Sequence, residues 1–403
     1  MEMDNMAYPV KWYSSNMQGA GNLGDTTDGA LTSLLKSILV TGFGTLAINA
    51  LSFDTAKGWA VATFTGGHAY LQDSVVQVDG VSPAAYNGEH RVMQISATQV
   101  WFELDGGNPG AAGSGASMTM KVAPLGWTLT HESGDGKIAI YRPANISESG
   151  NVSLRIDNSA FSGWSGATYF GYLAKVQMVE DVTDINTFTL INDARWPATA
   201  RYSDKRWDLI GDSQLFYFLP AYAAASYQCL FAFGYIKSVR PGDRYHAISM
   251  HYSSLSADDG SRRWNQGAGA SFTSYYTQGL AFEDTTYRTM ARPYSQLFGA
   301  VGWWIKGLFS RFGTGMLVPN GPDNGFYMSV DPIMILESGN HLRGYLPGLV
   351  CPFGSISSWH RKNFGSLPAL PNKLLRFIYA AYIESTANGG TTMMGFDITG
   401  PWR

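Results

Sequence analysis

The sequence predicts a mainly β protein with few helices, and three observations carry that reading. Short runs rich in Val, Ile, Thr and aromatic residues recur along the chain, each bounded by Gly, Asp, Asn, Ser or Pro. Charged residues are 15% of the 403 positions, against a usual ~25%. Aromatic residues reach 14% and there are 46 Gly, a balance that excludes both disorder and a long coiled coil. Single cores stop growing near ~250–300 residues, so more than one packed unit is expected. The expected parts are an N-terminal arm and amphipathic helix over 1–50, a small inserted β-barrel or sandwich domain over 51–122, and a larger β-sandwich-like domain over 123–403.

The elements follow in order. Tyr8 to Asp25 is rich in Gly, Asn and Ser and carries Tyr8, Trp12 and Tyr13. It reads either as an extended arm lying on a neighbouring subunit or as a strand on its own domain. Leu31, Leu34, Leu35, Ile38 and Leu39 then recur at helical spacing and form one apolar stripe. Thr27 or Asp28 is placed to cap this helix and Gly42 to close it. Five strands are expected next, over Trp59–Thr65, Ser74–Val78, Glu89–Ser96, Val100–Leu104 and Ser117–Val122. Gly66-Gly67, Asp79-Gly80, Asn87-Gly88 and Asp105-Gly106-Gly107 separate them. Asn87-Gly88 suits a type I′ hairpin turn, and Gly106–Gly115 reads as a mobile loop tip.

Beyond Ala123 the strand candidates are Lys137–Tyr141, Val152–Asp157, Ala167–Met178, Trp207–Ile210, Leu215–Leu219, Cys229–Ile236, Tyr245–Tyr252 and Met328–Leu336. Helices are expected at Lys373–Tyr382 and, as a short turn, at Asp184–Phe188. Val301–Phe312 is a weaker helix candidate because of its glycines. Pro347-Gly348 suits a tight turn that points Leu346 and Leu349 inward.

Several functions find no anchor. The net charge is −3 and the basic residues are scattered, so no nucleic-acid surface is expected. No apolar run is long enough to span a membrane, and the first ten residues do not read as a signal peptide. Cys229 and Cys351 are too few for a disulfide framework and read as buried thiols. No His pair has zincin spacing; His246 and His251, five apart in a strand-like run, point to opposite faces. His68 reads as a turn histidine capping backbone carbonyls. No nucleophile elbow, phosphate loop or paired carboxylates appear. The expectation is therefore no enzyme, no cofactor and no metal. The candidate functional residues are instead the aromatics of assembly contacts: Tyr8, Trp12 and Tyr13 in the arm, and Trp303 and Trp304 further on. Aromatics are enriched at subunit interfaces. Core packing is the first reading for the aromatic runs Phe216–Tyr222 and Phe231–Tyr235.

Particular motifs resemble a family of tailed-bacteriophage virion structural proteins. They are Tyr8-Pro9-Val10-Lys11-Trp12-Tyr13, Met17-Gln18-Gly19-Ala20, and the leucine helix running into Thr41-Gly42-Phe43-Gly44. They continue in Ser82-Pro83-Ala84-Ala85-Tyr86-Asn87-Gly88-Glu89-His90-Arg91-Val92, in Val122–Trp127, and in Arg343-Gly344-Tyr345-Leu346-Pro347-Gly348-Leu349. The likeness covers most of the chain and thins out between Asp258 and Met328. It implies a component of the virion, assembled in the bacterial host cytoplasm, whose partners are copies of itself and other virion proteins. A tail, neck or baseplate subunit acting through protein–protein contacts is the first expectation. A host-surface or glycan-binding receptor-binding protein is the alternative, and a capsid decoration protein is a further placement.

Overall fold

The computed structural model describes residues 8–23, 28–159, 173–198, 206–220, 228, 230–240, 242, 246–248, 289–290, 301–306, 319–329, 333–337, 341–352, 357–381 and 391–403. The chain is mainly β and sandwich-like. The described strands form four sheets, of ten, five, seven and five strands.

The leucine stripe folds as expected. An α-helix, Ala30–Lys36, runs into a π-turn, Ser37–Thr41, and Leu31, Leu34, Leu35, Ile38 and Leu39 are all at most 2% exposed. The cap differs from expectation. Gly29 occupies the N-cap with no side-chain cap of its own. Asn158, far along the chain, supplies one: its Oδ1 accepts from the Leu31 amide at 2.9 Å and its carbonyl from the Gly29 amide. Gly42 closes the helix at φ 70°. The carbonyls of Ile38 and Leu39, which a helix end leaves open, accept from the amides of Leu125 and Gly126.

All five expected strands of the small sheet are present, as Trp59–Thr63, Val75–Asp79, Gly88–Ile95, Gln99–Phe102 and Thr119–Val122. Two more, Phe43–Ala47 and Ala50–Asp54, complete its seven. The sheet thus begins ahead of the boundary expected at 51, because Phe43 pairs with Val122 and Ala47 with Thr119. Its core is also continuous with the rest of the chain: Val76, Val78, Met120 and Val122 belong to the same buried cluster as Trp127, Trp207 and Phe216. Asn87-Gly88 is not a two-residue hairpin turn. Asn87 is extended, and its side chain bonds both the amide and the carbonyl of Val81, folding residues 80–87 into one longer loop. Gly113, expected on a mobile tip, is held by the Leu51 carbonyl at 2.9 Å, and Ser114 pairs with Ser82.

The larger region pairs a five-stranded sheet, ordered Thr187–Pro197, Leu173–Asp184, Ser153–Asp157, Ile138–Pro143 and Trp127–Glu132, with the ten-stranded sheet. Aromatic rings fill the space between them. Trp127 and Trp196 from the first meet Phe216, Phe231 and Phe233 from the second at centroid distances of 5.3 to 6.0 Å. These phenylalanines have no exposed surface, so Phe216–Leu219 and Phe231–Phe233 of the two aromatic runs are sandwich core; Tyr222 lies outside the described residues.

Two expected helices are strands or turns. Lys373–Tyr382 falls mostly on the strand Leu370–Ala381, paired on both sides by Lys362–Leu367 and Thr391–Asp397. Asp184–Phe188 is the tip of a hairpin, where Asp184 Oδ1 accepts from the amides of Asn186 and Thr187. The first half of the third helix candidate is the strand Val301–Lys306; its remainder lies outside the described residues. The Pro347-Gly348 turn is as expected, with Leu346 and Leu349 buried. Gly348 is required there: its φ is 74°, and a Cβ would lie 2.1 Å from the Trp402 ring.

Candidate functional site

The two ends of the chain meet at one buried group of charges. Asp208 is the second residue of the strand Trp207–Gly211, all five of whose residues are buried. Its side chain has no exposed surface. Arg376, on Leu370–Ala381, reaches Asp208 Oδ1 through Nη2 at 2.6 Å, and Arg361 reaches Oδ2 through Nε at 2.8 Å. Gln228 donates to Oδ2 at 2.9 Å. Burial alone would raise this carboxyl, but the two guanidinium groups outweigh it and hold Asp208 below the usual carboxylate range.

The N-terminal segment completes the shell. Lys11–Ser14 pairs antiparallel with Trp207–Gly211, Trp12 opposite Ile210 and Ser14 opposite Asp208. Arg376 lies over the Trp12 ring at 4.0 Å. Arg361 Nη2 donates to the hydroxyls of Ser14 and Ser15. Arg376 Nη1 donates to the Arg361 carbonyl and to Asn363 Oδ1 at 3.1 and 3.0 Å. Asn363 in turn donates to Asp73 Oδ2, while Trp12 Nε1 donates to the Asp73 carbonyl. Asp73, in the turn ahead of the small sheet's strand Val75–Asp79, the N-terminal strand and the C-terminal strands are thereby tied to one carboxylate. His360 borders the group; burial first, and then the neighbouring arginines against the opposing pull of Asp208, lower it to about 4.

An isolated buried charge costs several kcal/mol, and pairing repays that only with good geometry and further hydrogen bonds. Here both carboxylate oxygens are engaged and all three Arg376 guanidinium nitrogens donate; Arg361 donates through Nη2 to the serines, while its buried Nε meets Asp208 as an ion pair without a hydrogen bond. The arrangement therefore works as a cross-link of the fold.

The aromatic candidates divide. Tyr8, Trp12 and Tyr13 are 6%, 3% and 1% exposed on their own chain. The reading of this segment as an arm on a neighbour is accordingly corrected: Lys11–Ser14 is a strand of the chain's own ten-stranded sheet, and these rings have no surface left to offer. Gly19 and Gly44 lock the segment further, since a Cβ on Gly19 would lie 2.4 Å from the Gly44 Cα. Trp303 and Trp304 sit on Val301–Lys306 opposite Glu337 and Leu336, with side chains outside the described part of the structure. The Cys229 residue and the Cys351 side chain also lie outside it, as does His251. His68 does cap backbone groups: its Nδ1 accepts from the Tyr70 amide, and its Nε2 lies 3.1 Å from the Gln99 carbonyl.

The sequence reading missed Asp208, Arg361 and Arg376. A signal was present for two of them, a lone charge inside an apolar run: Trp207-Asp208-Leu209-Ile210 and Leu374-Leu375-Arg376-Phe377-Ile378. Among the described residues no group of three or more His, Cys, Asp or Glu side chains is arranged to hold a metal ion. No helix among them is long and apolar enough to cross a membrane. Comparison of the chain with protein-family models, curated proteins and solved structures found no match.

Proposed function

We propose that this chain is a structural subunit of a tailed-bacteriophage particle, working through contacts with copies of itself and with other particle proteins, in the tail, neck or baseplate. One observation carries the reading: the residues that resemble the virion family occupy the joints of the fold. Trp12 and Tyr13 lie in the N-terminal strand beside Asp208. Arg91, in the Ser82–Val92 motif, donates to the Ile398 carbonyl at 3.2 Å. Pro347, in the Arg343–Leu349 motif, accepts from the Tyr217 hydroxyl at 2.7 Å. Motif residues spent on holding the chain's two ends and its small sheet together are what an architectural protein requires. The charged fraction of 15% is low for a surface kept soluble by charge alone, which favours an assembled state. The test is mass spectrometry of gradient-purified particles, with copy number from labelled peptides and cross-links to name the neighbours. The expected result is a fixed multiple of copies per particle, cross-linked to tail, neck or baseplate proteins. Absence from the particle refutes the proposal, and cross-links to the capsid shell alone refute the placement.

A further inference from the structure

A cleft of about 280 Å³ opens beside the Pro347-Gly348 turn, walled by Leu349, Leu370 and the Trp402 ring. Its size is near the lower end of small-molecule sites, ~300–1,000 Å³. Three charged side chains line it: Lys237, Lys373 and Asp397. Asp397 is fully used, its Oδ2 by Lys373 at 2.9 Å and its Oδ1 by the amides of Thr399 and Gly400. Lys373 also donates to the Gly400 carbonyl at 2.9 Å. Trp402 is fixed by donating to the Asp397 carbonyl at 2.9 Å. The walls are thus preformed, and among the described residues Lys237 has no carboxylate partner. Lys237 is exposed, on the strand Lys237–Ser238, and lines the same cleft as Leu349, Leu370 and Trp402.

We infer that this cleft binds a compact apolar carboxylate, the apolar body against Leu349, Leu370 and Trp402 and the carboxylate on Lys237. The inference is independent of the architectural reading. A ligand of about ten heavy atoms in such a site should bind with a dissociation constant near ~1 mM. The probes are 3-phenylpropionate, its neutral amide, and acetyl-Gly-Gly-Phe with a free carboxyl terminus, titrated into the full chain by ligand-observed NMR and calorimetry. The acid should bind about three- to fivefold more tightly than the amide, as a partly exposed ion pair allows. Added salt should erase that difference. Lys237→Gln, on the surface, should bring the acid to the amide's affinity without altering melting, and Leu370→Trp should fill the cleft and abolish both. Stronger binding of the peptide identifies a polypeptide terminus as the source of the carboxylate; binding of the free acid alone identifies a small molecule. Equal affinity for acid and amide, no binding of either at about 20 mM, or an unchanged Lys237→Gln titration overturns the inference.

Discussion

Replacing Asp208 with alanine is the most informative single perturbation of this fold. It deletes two ion pairs, at 2.6 and 2.8 Å, whose three side chains are 0%, 3% and 9% exposed. Two guanidinium groups then remain buried beside each other with only the more distant carboxylate of Asp73 to oppose them. Breaking a buried pair from one side costs roughly 3–5 kcal/mol. The residual partners of Arg361 on Ser14 and Ser15, and of Arg376 on Asn363 and the Trp12 ring, place the cost toward the lower end of that range. For a protein this large, a loss of about 3 kcal/mol corresponds to a fall in melting temperature on the order of 4 °C. Differential scanning calorimetry measures it, alongside Asp208→Asn, which keeps the shape and loses the charge and should fall between wild type and alanine. A triple variant with Asp208→Leu, Arg361→Met and Arg376→Met removes all three charges together and should recover much of the loss, since apolar replacement of a whole buried ion group is often neutral. A melting temperature for Asp208→Ala within about 1 °C of wild type would refute the cross-link. A triple variant no better than the single one would show that the charges are not what couples these strands.

Four further outcomes are expected. Leu35→Ala, at a fully buried position of the leucine stripe, should cost ~2–5 kcal/mol, and wild-type melting would mean the helix does not pack on the sheets. Gly348→Ala should lower melting sharply because its methyl meets the Trp402 ring; combined with Trp402→Ala it should do far less harm, and equal damage in the double variant would count against the contact. Removing residues 1–15 strips the strand Lys11–Ser14 from its sheet, so soluble yield should collapse; a truncated chain with the wild-type circular dichroism and melting curve would refute that role. His360 is lowered to about 4 in the folded state, against ~6.5 unfolded. The unfolded chain therefore takes up this proton first as pH falls. Its contribution is complete above pH ~6.5 and is lost progressively down to about pH 4, so His360→Gln should flatten the stability profile in that window, and an unchanged slope would exclude His360 as its source.

Where a periodicity or a turn residue acts locally, the sequence was readable. Leu31 to Leu39 has one apolar face and folds as one helix, and the strands of the small sheet end where Gly, Asp and Asn interrupt the apolar runs. The strand Leu370–Ala381 was misread for a physical reason. Leu375, Arg376, Phe377 and Ile378 are all buried, so both faces are covered and the alternation that marks a half-exposed strand is absent. The charge centre was out of reach because its members lie far apart along the chain, Asp208 and Arg376 by 168 positions. A lone Asp in an apolar run announces that a partner exists without saying where. The N-terminal segment, open between arm and strand, was decided by the same long-range pairing.

That pairing has a consequence for biosynthesis. Ser14 and Arg361 are 347 positions apart, and at ~5–20 residues per second the ribosome needs roughly 20–70 s to make the second after the first. Until Trp207–Gly211 emerges, Lys11–Ser14 has no strand of its own chain to pair with, and until Arg361 follows the charge group that ties it down is incomplete. Neighbouring nascent chains on the same message expose the same segment at the same time. A co-expressed chaperone that covers this segment until its partners emerge should therefore raise the yield of folded chain.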